Sequence, residues 1–248
     1  MNSFDTIAAY YDLEHDELTA DLALYARMTD LSSDVLILGV GTGRVAQHLA
    51  QLSHEVTGVD ASSGMLAVAR KRLRNSGNVR LVQSDMTVLE LGQNFDLVII
   101  PLDTFSLLNS QADQLNALRR CASHMTAVGV LILDVTNPLQ LPTADQDGLV
   151  RNRFEASIDG RLITAFDWTV VDAAAQTMEL GIRYEETGIR TTGEQAQLHI
   201  RWVYRYELEA LMKCAGLAVC AVYGDYDRGL YHENSPRLIV EASLELGA

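Results

Sequence analysis

Three glycines stand at alternate positions in "DVLILGVGTGRVAQHLA": Gly39, Gly41 and Gly43, directly after an apolar run and directly before a helical pattern. Glycine adopts left-handed backbone conformations without a Cβ penalty and lets another molecule approach the main chain. At the carboxyl edge of a strand, such a loop turns free N–H groups and the positive end of a helix toward the crevice where open α/β sheets bind ligands. The spacing narrows the ligand. A GxGxxG dinucleotide fingerprint would need its third glycine at Arg44 or Ala46, so only a relaxed form starting at Gly41 survives, and no GK[ST] follows to make a phosphate-binding P-loop.

Carboxylates follow at regular intervals. Asp60 ends "EVTGVD", where an acid at a strand edge can accept hydrogen bonds from both hydroxyls of a ribose. Asp85 stands in "LVQSDM" and Asp103 in "PLDTFSLL", each just past another apolar run. An aspartate in such a place also makes turns and caps helices. For Asp103 two readings stay open, a helix cap or a base that takes a proton from a bound acceptor.

These residues need strands to hold them in a row. "VLIL", "EVTGVD", "VRLVQSD", "FDLVII" and "VLILDV" read as buried strands bounded by Gly, Asp or Pro. Between them, "GRVAQHLAQL" sets Val45, Leu49 and Leu52 on one helical face, and "SSGMLAVARKRL" starts at Ser62 or Ser63 as an N-cap and carries Met65, Ala69 and Leu73. "QADQLNALRRCASHM" aligns Leu115, Leu118, Ala122 and Met125. Strand, helix, strand repeated in this way predicts a doubly wound α/β fold with a parallel, Rossmann-like sheet.

After Pro138 the period changes to two: Met178, Leu180, Ile182 and Tyr184 alternate with Glu179, Gly181, Arg183 and Glu185. Turn signals at Asp159-Gly160 and Thr191-Thr192-Gly193 divide residues 151–204 into about four antiparallel strands, an inserted lid or dimerisation sheet. "YRYELEALMKCAGL" then predicts a helix ending at Gly216, with "AVCAVYG" and "RLIVEASLEL" as two last strands.

The 248 residues suit one domain carrying an insertion. Its parts are expected at 1–33 (covering helices), 34–138 (ligand-binding core), 150–204 (insertion) and 205–248 (helix and strands completing the core). A net charge of −14 argues against nucleic acid and anionic membrane surfaces as partners. No basic n-region opens the chain and no apolar run reaches a membrane span, so a cytoplasmic location is expected. Cys121, Cys214 and Cys220 lack metal or disulfide spacing and read as reduced core residues; no metal is expected.

The GxGxG loop followed by Asp60 and Asp85 at successive strand ends resembles class I methyltransferases dependent on S-adenosyl-L-methionine (SAM). The resemblance implies SAM as cofactor and S-adenosyl-L-homocysteine as product. Gly39, Gly41 and Gly43 would lie against the cofactor, Asp60 on its ribose and Met65 on the adenine ring. Asp85 would receive the adenine amino group, and the Met86 N–H would meet the ring. Pro101 joins the cofactor-binding set. "FDTIAAYYDLEHD" is similar to the short helix that closes over the cofactor in small-molecule methyltransferases, which implies Tyr10 or Tyr11 at the methionine end, Tyr11 joining the cofactor-binding set.

One departure stands at Ile37, where relatives often carry an acid that bonds the methionine amino group. Residues 95–138 also resemble bacterial methyltransferases of secondary metabolism, among them cypemycin-type peptide and amino-sugar N-methyltransferases, and lack the [DN]PP[YF] motif of DNA and glutamine N-methyltransferases. The implied acceptor is a small molecule or short peptide, nitrogen ahead of oxygen, with Asp103 facing the methyl. Arg201, Tyr204, Tyr223, Tyr226, Tyr231 and His232 are the groups expected around the acceptor, and the insertion is expected to allow a homodimer. Two other readings are a SAM- or nucleoside-binding protein without turnover and a nucleotide-dependent oxidoreductase.

Overall fold

A computed structural model describes residues 3–29, 34–158, 160–186 and 195–245. Asp159, the expected turn at 191–193 and the end of the last expected strand lie outside the described residues.

Three short helices open the chain, α1 (Ser3–Ile7), α2 (Asp12–His15) and α3 (Ala20–Met28). Strand and helix then alternate through β1 (Asp34–Leu38), α4 (Arg44–Gln51), β2 (Glu55–Asp60), α5 (Ser63–Arg72), β3 (Val79–Gln83), β4 (Phe95–Ile100), α6 (Gln111–Ser123) and β5 (Met125–Thr136). Four antiparallel strands follow, β6 (Arg151–Ile158), β7 (Arg161–Asp172), β8 (Thr177–Glu186) and β9 (Gln195–Arg201). The chain closes with α7 (Arg205–Cys214), β10 (Leu217–Tyr223) and β11 (Arg237–Leu244).

The main sheet has the order β10-β11-β5-β4-β1-β2-β3, with β1 to β5 parallel and β11 antiparallel to both its neighbours, β5 and β10. β1 sits where the winding reverses, with β2 on one side and β4 on the other. That reversal opens the crevice at the carboxyl ends of the strands. Both faces of the sheet are covered. Leu36, Leu38, Val98 and Ile100 pack with α6 and α7 side chains such as Leu118 and Leu208, whereas Val35, Ile37, Leu97 and Ile99 pack with Leu24, Leu49, Leu66 and Ala69. Burial on two faces is why these strands are continuously apolar.

Local differences from the expected elements have simple causes. Ser62 is the N-cap of α5, its Oγ accepting from the Met65 N–H at 3.1 Å. Leu52 is exposed because α4 stops at Gln51 and leaves it beyond the helix. Met125, expected on α6, starts β5 and pairs with Phe95. Cys121 is buried, which pushes its thiol up to about 12, but Cys214 and Cys220 are exposed free thiols rather than core residues. None of the helices among the described residues is long and apolar enough to cross a membrane.

The inserted sheet, in the order β6-β7-β8-β9, is two-faced as its period requires. Ile163, Ala165, Ile182, Tyr184, Ala196 and Leu198 turn inward and pack with Ile7 of α1. Leu162 and Val170 point the other way and are exposed. The sheet and the first two helices thus roof the carboxyl end of the main sheet.

Candidate active site

The three glycines share a left-handed backbone, with φ of +79°, +56° and +88° at Gly39, Gly41 and Gly43, but they do different things. A Cβ on Gly39 would strike the Thr104 side chain, and one on Gly43 would come within 2.9 Å of Leu73, so these two let the loop and α4 pack closely. A Cβ on Gly41 would meet nothing within 4 Å. Gly41 is the bare wall of an open cleft of about 420 Å³, which Gly39 also borders and Gly43 does not.

Asp60 stands across from that wall. One carboxylate oxygen accepts from the Gly41 N–H at 2.8 Å and the other from the Ser62 N–H at 2.8 Å, and burial raises its pKa. Each oxygen keeps a lone pair for a further donor. Asp85, Met65 and Met86 line the same cleft, Met65 held there by the start of α5. Asp85 also closes its own turn, accepting from the Thr87 N–H and Oγ1. Phe4 and Tyr11 close the cleft from the N-terminal side. Asp5 fastens α1 there by accepting from Ser62 Oγ at 2.7 Å and the Gly64 N–H at 2.8 Å.

After β4 the backbone is strained. Leu102 and Asp103 carry φ of +44° and +63°, left-handed values that cost a non-glycine residue about 1–3 kcal/mol each. The turn is held from below by β5: Asp103 donates its N–H to the Asp134 carbonyl at 3.0 Å. The Asp103 carboxylate accepts from the Thr136 N–H, from Thr136 Oγ1 and from Arg237 Nη1. Asp134 is fully buried and accepts from Arg237 Nε at 2.7 Å, Tyr25 at 3.1 Å and Tyr226 at 3.0 Å. Burial pushes the Asp134 pKa up against the pull of Arg237. Burial also works against the Arg237 charge, but Asp134 and Asp103 outweigh it and its pKa rises. Pro101 is buried beneath this turn and borders neither cavity.

A second cavity of about 230 Å³ adjoins the first. The two share Phe4, Tyr11, Leu102, Leu107 and Leu198 as a common wall. Its roof is apolar, with Met178, Leu180, Ile182 and Ile200 from the inserted sheet. Its polar side is Glu14, His15, Asp103, Arg153 and Tyr184, with Glu14 paired to Arg153. Sequence reading missed Glu14, His15, Arg153 and Tyr184 as site residues. The only signals were the four-residue spacing of Tyr11 and His15 and the inward alternation that ends at Tyr184.

The residues expected around the acceptor go elsewhere, and this corrects the expected pocket. Arg201 bonds Glu207 at 2.7 Å and Gln114 at 2.6 Å, joining β9 to α6 and α7. Tyr204 is exposed ahead of α7. Tyr226 lies on the buried Asp134, Tyr223 bonds Glu241, and Tyr231 bonds Asn137. His232 is exposed in a turn, its Nδ1 accepting from the Asn234 N–H. For Tyr226, Tyr231 and His232 the physical reason is one fold-back: Asn137 donates to the Glu233 and Ser235 carbonyls and pins the 224–236 loop beside β5, away from both cavities. Ile37, where an acid was looked for, is buried among α4 and α5 side chains.

Residues 35–129 match the methyltransferase domain family. These residues form a methyltransferase domain. The chain is 28% identical over 240 residues to the cypemycin N-terminal methyltransferase of a Streptomyces species, covering 95% of each chain. It is 27% identical to the dTDP-3-amino-3,4,6-trideoxy-alpha-D-glucopyranose N,N-dimethyltransferase of Streptomyces venezuelae, over 86% of this chain and 87% of that one. Among solved structures it is similar in fold to the CcbJ methyltransferase of Streptomyces caelestis, with a TM-score of 0.83, 24% identity and 99% of each chain covered. Among its described residues, no cluster of His, Cys, Asp and Glu could hold a metal ion.

Proposed function

We propose that the larger cavity holds SAM and the smaller one an amine, so that this methyltransferase methylates nitrogen in a small molecule or short peptide. The observation that carries the reading is the meeting of two unlike cavities along the Tyr11 ring. The larger cleft fits the cofactor on its own features. Gly41 leaves a bare backbone where a Cβ would meet nothing, and Asp60 keeps lone pairs for two ribose hydroxyls. Met65 and Met86 offer apolar contact for adenine, with Asp85 at its edge. SAM, when bound, supplies a methyl carbon already activated by its sulfonium.

The chain's own task is then alignment and exclusion of water. Leu102 and Leu107 stand at the junction of the cavities, where they hold the two ligands in line. The strained Leu102–Asp103 turn is kept in place by Asp134 and Arg237. Asp103 therefore serves in this reading as a positioning residue, its carboxylate spent on Thr136 and Arg237. The names of the two curated relatives, one acting on a peptide N-terminus and one on an amino sugar, support nitrogen as the acceptor. The net charge of −14 supports a partner other than nucleic acid. The exposed Leu162 and Val170 on the outer sheet face support a homodimer, which light scattering of the purified protein tests.

The test of the function is incubation with SAM and, separately, an unblocked short peptide and the amino-sugar nucleotide named for the Streptomyces venezuelae relative. Mass spectrometry should find a product heavier by a methyl group together with S-adenosyl-L-homocysteine. Saturable SAM binding with no methylated amine would favour a binding protein without turnover.

A further inference from the structure

We propose that His15 is the proton acceptor of the transfer, its Nε2 taking the proton of an ammonium held in the smaller cavity; the proposal rests on the amine reading above. His15 ends α2 and borders that cavity. Its Nδ1 lies 2.8 Å from the Tyr11 carbonyl oxygen. A carbonyl only accepts, so Nδ1 carries the hydrogen and the lone pair of the neutral ring sits on Nε2. The imidazole stacks on the Tyr11 ring at 3.9 Å with 2° between planes, and that same tyrosine borders both cavities. The base and the junction of the two cavities thus share the Tyr11 ring.

The carboxylates of the cavity are committed. Glu14 is paired with Arg153, and Asp103 with Thr136 and Arg237. Burial pushes the Tyr11 phenol well above its ordinary value and the Tyr184 phenol up to about 12, so both stay protonated. The charged groups facing His15 are Glu14 on its own helix, Arg153 from β6 and Arg44 from α4. Burial lowers the His15 pKa, the two arginines act in the same direction, and the Tyr11 carbonyl and Glu14 oppose them. The ring is therefore neutral at neutral pH.

The step balances. The acceptor's N–H proton passes to Nε2, the freed nitrogen lone pair forms the N–C bond, and the electron pair of the breaking C–S bond stays on sulfur. The imidazolium then returns its proton to water.

The test has two parts. In protein labelled with 15N-histidine, long-range proton–nitrogen NMR should show His15 as the neutral Nδ1–H tautomer at pH 7, with the signal assigned by its absence from His15→Asn. A proton on Nε2 in the neutral ring overturns the proposal. Asn can keep the donor to Tyr11 and lacks the base, so the variant should bind SAM as the wild type does by calorimetry. On an unblocked peptide its kcat/KM should rise tenfold per pH unit up to about 8, the ordinary α-amino value. The wild type should vary less with pH across that range, so the variant falls further behind as pH drops and recovers at high pH. Equal profiles in the two proteins overturn His15 as the base. Wild-type protein that binds SAM yet methylates neither amine probe overturns the amine reading instead, and His15's role with it.

Discussion

The two cavities that meet along Tyr11 are built by different means. The larger one is made of strand ends and backbone: the left-handed Gly41, the Asp60 carboxylate tied to two N–H groups, and the turn at Asp85. The smaller one is made of side chains that converge from α1, α2, the β4–α6 loop and three inserted strands. A backbone-built site tolerates little change in its loop, because close approach and positive φ demand particular residues. A side-chain-built site can be refitted residue by residue while the sheet above it keeps its apolar alternation. The difference teaches where one chemistry can be kept while the acceptor changes.

Variants can break or sharpen this contrast. The largest effect is expected at the joint beneath both cavities. Asp134→Leu takes from Arg237 its fully buried partner and from two tyrosine hydroxyls their acceptor, and should cost about 3–5 kcal/mol in denaturant unfolding. A stability near wild type would mean that the strained turn holds itself. Next comes Asp60→Ala, which on the proposed reading removes two charge-assisted hydrogen bonds to a ribose, each worth about 1.5–3 kcal/mol. Calorimetry should find SAM binding weaker by about 100-fold or more. Unchanged affinity would sink the ribose assignment.

Ile182→Trp fills the smaller cavity from its roof. The acceptor's KM should rise about tenfold. If SAM affinity falls with it, the two cavities are one site and the contrast fails.

The smallest effect concerns His15. Its folded pKa lies below its unfolded one, so the unfolded chain binds more protons as pH falls through the ordinary histidine value. Stability contributed by the neutral ring is complete above that value and is lost on acidification down to the folded pKa. Urea midpoints should therefore decline from pH 7 toward pH 5 more steeply in the wild type than in His15→Asn. Parallel slopes would place His15 in water.

The parts of the fold that could be read in the sequence are those whose pattern is local. Residues 35–38 and 97–100 announce buried strands by being apolar at every position, and residues 178–184 announce a two-faced strand by alternating. Gly41, Asp60, Asp85 and Met65 were legible because each lies within a few residues of the strand end that places it. Tyr226 and Arg201 look as ready for chemistry as Tyr184 and Arg153 do. Only the fold-back pinned by Asn137 and the joint at Glu207 and Gln114 removes the first two from the cavities.

By itself the sequence determined the α/β core, the antiparallel insertion and the glycine loop that borders the larger cleft, because short-range periodicity and turn chemistry dictate them. Tertiary structure decided which aspartate is free and which is spent, since Asp103 meets Arg237 across 134 positions of chain. It also decided that Glu14 meets Arg153 across 139 positions and that His15 looks into a chamber roofed by β8 and β9. Contacts over such separations are made by packing of the whole core, and no local pattern carries them.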